Sequence, residues 1–333
     1  MCHTGARDIR GKPGKPSAAA ERIASFFNLV PRTPSFAYYP IGVVPQNQAA
    51  GLGLPPGIRV TPGGHDTCFS HIPVMAAYRG AFPETSGKPA VQVEAGSWTM
   101  VARIGGKADL PPDGWRRDII VQGTVDGEPV AAARYGGGFD FRYARELVEG
   151  RGGSFLPRQD EKLLEHIAGA GECFLLPNIN PVNHGAGPFP DVRGRIVGDE
   201  EFFNRPGAAY TVSTLSTALT ASVQVESVSP DPEEPLIITA GGAKDPLFGK
   251  LLSSFTGRTV YSPVDRHGNP VAETTALGAA MVGKAARLGI HPYEVDTHGI
   301  GVFFRTVEPI GGEIARALQE YREKWSKLIE PAR

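Results

Sequence analysis

The chain is poor in the features that mark several large classes of protein. Cysteine is scarce: Cys2, Cys68 and Cys173 are an odd number with wide spacing. They suit a reducing compartment and spell no zinc motif. Cys68 lies between His65 and His71, but a second ligand pair is missing, so no metal site is assigned. Long apolar runs are absent too. No uninterrupted stretch reaches the ~18 residues that read as a membrane span, and the basic N-terminus lacks the apolar segment of a secretory signal. No membrane partner is expected, and a cytoplasmic location is. An excess of either charge is also lacking. The 34 Lys and Arg against 35 Asp and Glu leave a formal charge of −1, so no global field favours nucleic acid or an anionic surface. With 41% hydrophobic and 21% charged residues the chain is an ordinary soluble composition, and 333 residues hold one large domain or two ordinary ones.

Glycine and proline are plentiful. Counts of 42 and 30 imply many turns and close backbone approaches, so a binding site here uses main-chain amides as well as side chains. Residues 1–57 read poorly as an independent unit. Gly11 to Ser17 is a Gly/Pro/Lys linker, Ala18 to Leu29 a short amphipathic helix, and Pro31 to Pro56 a proline-studded connector. From Ile58 to residue 333 the pattern is α/β. Strands are predicted at Ala90–Ala95, Met100–Ile104, Asp118–Gly123 and Pro129–Tyr135, the last two joined at the hairpin signal Asp126-Gly127. Further short strands are predicted at Cys173–Leu176, Leu236–Ala240 and Thr259–Ser262. Helices are predicted at Phe141–Glu149, Asp160–Ala168, Ala208–Ser227, Pro246–Phe255 and Glu273–Leu288. A final amphipathic helix carries Ile310, Ile314, Ala317, Tyr321, Trp325 and Leu328.

Three glycine turns follow predicted strands. In Val60-Thr-Pro-Gly-Gly-His-Asp66-Thr67 a carboxylate stands at the end of a strand, where open α/β sheets hold ligands and where it can take a proton from a hydroxyl. Taken by itself, the segment reads more readily with Asp66 as a cap for the helix it precedes. The Gly96-Ser97 turn reads as a phosphate contact or as a tight hairpin with Trp98 in the core. Gly241-Gly242-Ala243-Lys244-Asp245 reads as a bare backbone admitting a flat ring or phosphates, or as close helix–strand packing.

In their order along the chain, these segments resemble the C-terminal half of the FGGY carbohydrate kinases, most nearly the branch of the L-rhamnulose and L-fuculose kinases. Gly63-Gly64-His65-Asp66-Thr67 is similar to the family's catalytic Gly-rich turn with Asp-Thr or Asp-Asn. Ala95-Gly96-Ser97-Trp98 is similar to its second phosphate loop, and Ala240-Gly241-Gly242-Ala243-Lys244-Asp245 to its adenosine loop, Gly-Gly-Gly-x-x-Asn. Leu251–Val260 and Glu273–Ala280 resemble the two segments that follow.

The resemblance implies an α/β, actin-like or ribonuclease H-like domain with a mixed sheet flanked by helices. It implies ATP-dependent phosphorylation of a sugar with ATP and Mg2+ as cofactors. Asp66 would be the catalytic base, with His65 and Asp66 at the sugar. Gly96, Ser97, Gly241, Gly242, Ala243 and Asp245 would bind ATP. Three departures stand out. Ser97 replaces Thr and keeps the hydroxyl, whereas Asp245 replaces Asn, losing an amide donor and adding charge. The Asp-x-Gly-Thr loop that opens the family's N-terminal domain does not occur. Cys2-His3-Thr4 resembles the end of that domain, so on the order of 200 residues are expected to be missing. Residues 1–57 are then a remnant of the N-terminal lobe and linker, and residues 58–333 the nucleotide-binding lobe, which a homodimer or a separate N-terminal lobe would complete. The alternative is a catalytically silent domain that binds nucleotide, sugar or a partner. A third reading, an actin-like filament ATPase, shares the fold but gains nothing from the sugar-kinase-like motifs.

Overall fold

A computed structural model describes residues 18–26, 36–85, 87–157, 160–183, 187–296, 299 and 301–329. Cys2-His3-Thr4, the Gly11–Ser17 linker and the end of the helix predicted to Leu29 lie outside the described residues. The chain opens with α1 (Ala18–Phe26), β1 (Gly42–Val43), α2 (Gln46–Gly51), β2 (Arg59–Val60) and α3 (Asp66–Ala81). There follow β3 (Ala90–Ala95), β4 (Thr99–Ile104), β5 (Ile119–Gly123), β6 (Pro129–Tyr135), α4 (Gly137–Gly150) and α5 (Glu161–Ala170). Next come β7 (Phe174–Leu175), β8 (Ile196–Val197), α6 (Asp199–Asn204), α7 (Ala208–Val228), β9 (Leu236–Thr239) and α8 (Ala240–Lys244). The last elements are α9 (Pro246–Thr256), β10 (Val260–Val264), α10 (Thr274–Leu288), β11 (Phe303–Val307) and α11 (Gly312–Ile329).

Seven strands form one mixed sheet in the order β11-β10-β9-β3-β4-β6-β5. Its centre is parallel, β3 on β9 and β9 on β10, and its other side antiparallel, β3 on β4 and β4 on β6. The architecture is the expected α/β class. Two expectations need correction. The connector over residues 31–56 contains β1 and α2, and β1 pairs with β2 in a separate two-stranded ribbon. The segment led by Val60 is therefore no strand of the main sheet. Pro62 offers no amide to a ladder and Gly63 has φ +75°, so pairing stops at Val60 and Asp66 begins a helix instead.

By contacts the residues fall into two compact units. The first comprises Met1–Lys88, Val121–Val130 and Val264–Phe303, the second Pro89–Ile120, Ala131–Pro263 and Phe304–Arg333. In the first, α3 packs against α10 around Ile72, Val125, Met281, Val282 and Ala285. The two backbones touch: a Cβ on Gly278 would strike the carbonyl of Phe69.

In the second unit α7 is buried almost all round. Its hydroxyls survive burial by donating back to carbonyls one turn earlier, Thr211 to Gly207, Thr214 to Tyr210, Thr217 to Ser213 and Thr220 to Ser216. The terminal helix α11 buries Leu318, Tyr321, Trp325 and Ile329, and the predicted Ile310, Ile314, Ala317 and Leu328 pack against the same core. Tyr321 donates to the Cys173 carbonyl at 2.8 Å, which fixes α11 beside β7.

A charged network ties the lower end of the sheet together. Arg103 on β4 reaches the buried Glu234 through Nε at 2.9 Å, and this bond raises the guanidinium above its ordinary pKa. Ser229 donates to Glu234, and Arg258 donates to Ser229 Oγ and to the Ser229 carbonyl, each at 2.7 Å. Removing one member of a buried ion pair leaves the others uncompensated. Glu234→Ala should therefore cost about 3–5 kcal/mol, read as a lower denaturation midpoint. A loss under about 1 kcal/mol would class the pair with exposed ion pairs.

Candidate functional site

The parallel pairing of β3 with β9 sets the site. Val91 to Glu94 run in register with Leu236 to Thr239, and a bridge joins Ala95 to Ala240 just beyond. Both strands therefore deliver a glycine turn to the same end of the sheet, Gly96-Ser97 from β3 and Gly241-Gly242 from β9. The turns are too close for side chains. A Cβ on Gly241 would lie 2.8 Å from the Ala95 carbonyl oxygen, and one on Gly242 would lie 2.9 Å from Ala95 Cβ and from the Phe248 ring. The close-packing reading of these glycines is thus met.

A third bare segment joins them. Gly136, Gly137 and Gly138 follow β6 and start α4, whose N-cap carries no side-chain bond. A Cβ on Gly138 would strike the Gly96 carbonyl oxygen and come within 2.8 Å of Ser97 Cα. Beneath Gly137 lies the hydroxyl of Thr99, fully buried and without a hydrogen-bond partner. The three segments line a cavity of about 420 Å³. Its other walls come from Phe141, Pro157, Tyr210, Thr214, Thr217 and Phe248, and Lys244 and Asp245 complete it. Amides at a helix start, a glycine turn and an unpaired hydroxyl together can receive an anion, and the apolar wall can receive a flat ring.

Asp245 sits at the N-cap of α9, accepting from the amides of Leu247 at 3.0 Å and Phe248 at 3.3 Å. Tyr210 is its neighbour in the cavity wall. Burial pushes the Asp245 carboxyl up, against the opposing pull of those hydrogen bonds. Burial and the neighbouring carboxylate also push Tyr210 up. Ala240 has φ +56°, a left-handed conformation with an L side chain.

Of the residues singled out from the sequence, Gly96, Ser97, Gly241, Gly242 and Asp245 line this one cavity, while Ala243 is buried behind it. Trp98, considered for the core, is 39% exposed, with Phe139 edge-on to its ring and Arg134 over its face. Sequence reasoning missed Thr99, Gly137, Gly138, Tyr210, Thr214 and Lys244. The triple glycine between a predicted strand and a predicted helix was the signal for two of them.

His65 and Asp66 belong to the first unit. His65 is the N-cap of α3, its Nδ1 accepting from the Thr67 amide. Asp66 is the first residue of the helix. Its Oδ1 accepts the same amide at 2.8 Å and lies 2.7 Å from His65 Nδ1, and the side chain is 72% exposed. Thr275 donates to the Asp66 carbonyl at 3.4 Å, which links the start of α3 to α10. Among the described residues no group of three or more His, Cys, Asp or Glu side chains is placed to hold a metal ion by itself.

Two outcomes are expected from this geometry. Ala240→Gly should relieve the left-handed strain and raise stability by about 1 kcal/mol, seen as a higher midpoint of thermal or urea unfolding. Because the folded carboxyl of Asp245 titrates above its unfolded value, stability should fall as pH rises from that unfolded value through the folded one. Asp245→Asn should remove that acid-side slope, and an unchanged slope in a pH series of urea unfolding would assign it to other groups.

No curated protein matches the chain. The family described as "Carbohydrate kinase FGGY, C-terminal domain" matches residues 87–291. Among solved structures, a carbohydrate kinase from Novosphingobium aromaticivorans is similar at 22% identity and TM-score 0.68, over 99% of this chain and 64% of that one. A xylulose kinase from Rhodospirillum rubrum is similar at 16% identity and TM-score 0.61, over 94% and 59%. A glycerol kinase from Plasmodium falciparum with ADP is similar at 14% identity and TM-score 0.68, over 98% and 60%. The chain thus spans about three fifths of the length of these relatives, and at such identities the likeness establishes a shared fold. The family match extends over most of the residues that carry the sheet and the cavity, and by it this chain belongs to the FGGY carbohydrate kinases through their C-terminal domain.

Proposed function

We propose that this chain is the nucleotide-binding, base-bearing lobe of an ATP-dependent sugar kinase. The observation that carries the reading is the meeting of Gly96-Ser97, Gly137-Gly138 and Gly241-Gly242 around one cavity with the unpaired Thr99 hydroxyl in its floor. ATP, when bound, supplies the phosphoryl group. The amides of Gly137 and Gly138 and the Ser97 hydroxyl hold phosphate oxygens, because the start of α4 is positive and uncapped. Phe141, Pro157 and Phe248 cover the nucleoside and exclude water. Gly241 and Gly242 let their turn pack onto Ala95 and Phe248 at the edge of the cavity, Ala243 beside them is buried, and Asp245 holds the start of α9.

Asp66 is the general base in this reading and His65 its neighbour at the sugar. The carboxylate takes the proton of the sugar hydroxyl as that oxygen bonds to phosphorus and ADP leaves. The His65 ring lies beside the carboxylate, 2.7 Å from Oδ1. Mg2+, when bound with ATP, would neutralise charge on the phosphates. Sequence resemblance favours a ketose such as L-rhamnulose or L-fuculose, and the xylulose kinase among the similar structures adds D-xylulose to the candidates. In the same reading residues 1–57 belong to the end of an N-terminal lobe and its linker, and a homodimer or a separate lobe supplies the rest of the sugar site.

A second reading, a silent domain that binds nucleotide without transfer, draws on the surroundings of Asp66. One of its oxygens already serves the Thr67 amide at the helix start. Turnover separates the two. With ATP, magnesium and these ketoses, the intact enzyme should release ADP, and Asp66→Asn should lower the rate about 10²–10⁴-fold while nucleotide affinity stays the same. Near-full turnover by the mutant would return Asp66 to a structural role, and no turnover by either protein would favour the silent domain.

A further inference from the structure

We infer that Asp140 is a positioning residue for the phosphates: its buried carboxylate braces the run Gly136-Gly137-Gly138, so that the amides of Gly137 and Gly138 stand fixed before a nucleotide arrives. The inference rests on the cavity being the nucleotide site. Nothing larger than glycine fits in the run. A Cβ on Gly137 would lie 2.5 Å from the Thr99 hydroxyl and 2.9 Å from the Tyr135 ring, and one on Gly138 would strike the Gly96 carbonyl. As the first residues of α4, Gly137 and Gly138 have no carbonyl one turn earlier to take their amides. Three glycines in a row are also the backbone that loses most freedom on ordering. An anion site made of them needs support from outside the run.

Asp140 provides that support. The residue is 2% exposed and does not line the cavity. Its Oδ2 accepts from the Tyr135 hydroxyl at 2.9 Å and from the Asn178 amide at 2.7 Å, and its Oδ1 from the Asn180 amide at 3.0 Å. Tyr135 is the last residue before the glycines and Asp140 the second after them, so the first of these bonds spans the run. The tyrosine ring lies under Gly137 as it reaches across. Burial, with the carboxylate beside it, pushes the tyrosine hydroxyl well above its ordinary pKa, so it stays a donor. The two amides come from the loop after β7, and Asn180 Nδ2 adds a bond to the Phe139 carbonyl at 3.3 Å. That loop is itself held, because Asn178 Nδ2 donates to the Phe189 carbonyl at 2.9 Å. Three donors converge on one side chain, which an acceptor-only carboxylate can satisfy and a carboxamide cannot. Donors fixed in this way need no reordering when an anion binds.

The test uses the full chain with ATP as the probe, in the wild type, Asp140→Asn and Tyr135→Phe. Asp140→Asn sets an NH2 against a donor. Tyr135→Phe is the milder change, removing one hydroxyl while keeping the ring under Gly137, and it serves if Asp140→Asn does not fold. Hydrogen exchange read by mass spectrometry reports local order, and calorimetry reports ATP affinity. In either variant the segment 136–139 should exchange faster while α7 is unchanged, and ATP should bind about threefold to tenfold more weakly. A merely structural role would speed exchange across α4 and α7 together, and that outcome would overturn the inference. An unchanged segment in both variants would do the same, as would a loosened segment with ATP affinity intact. A wild-type chain that binds no ATP would instead remove the nucleotide site, and the inference with it.

Discussion

Everything at the candidate site depends on the parallel pairing of β3 with β9. These strands are distant in sequence, and their register carries Ala95 to Ala240 before both chains turn away. Two consequences are forced. The turns emerge side by side, so the second has no room for side chains at Gly241 or Gly242. The helix after β6 then completes the ring, because Gly138 fits directly under Gly96. Ala240 holds a left-handed backbone at the point of contact, a local cost that the surrounding pairing sustains.

The wall opposite the turns obeys a different constraint. Helix α7 runs through the core with hydroxyls where an ordinary buried helix has hydrocarbon. Such groups are tolerated only when hydrogen-bonded, and the hydroxyls of Thr211, Thr214, Thr217 and Thr220 use the carbonyls of their own helix. The cavity therefore has two chemically distinct sides. One is made of backbone amides and glycine, and the other of aromatic surface and hydroxyls turned inward on themselves.

Much of the fold was legible in the sequence because its period-two strands end abruptly at glycine. β3, β6 and β9 appear close to where alternation or an all-apolar run predicted them, and the Asp126-Gly127 hairpin joins β5 to β6 as expected. Short elements escaped notice. β1 and β8 are two residues long and α6 is six, too brief for a period to show. β11 alternates weakly because much of it is exposed. At the site, the sequence pointed to the loops but not to the partners that loops acquire on folding. Tyr210 and Thr214 lie on a helix that looked only apolar, and Thr99 became notable through the absence of a partner, which no sequence pattern records. Asp66 was misplaced in the fold because a proline and a left-handed glycine stop its strand early.

The threading of the two compact units has a consequence for how the protein is made. The first unit needs residues before Lys88 and residues after Val264, with nearly all of the second unit encoded between them. On the ribosome α3 is complete long before α10 exists to cover it. At about 5–20 residues per second that interval is on the order of ten to forty seconds, during which the face bearing Ile72 and Ala76 has no native partner from α10. A nascent chain with so long a wait is a natural client for a chaperone, and slow codons between the two helices would lengthen its exposure.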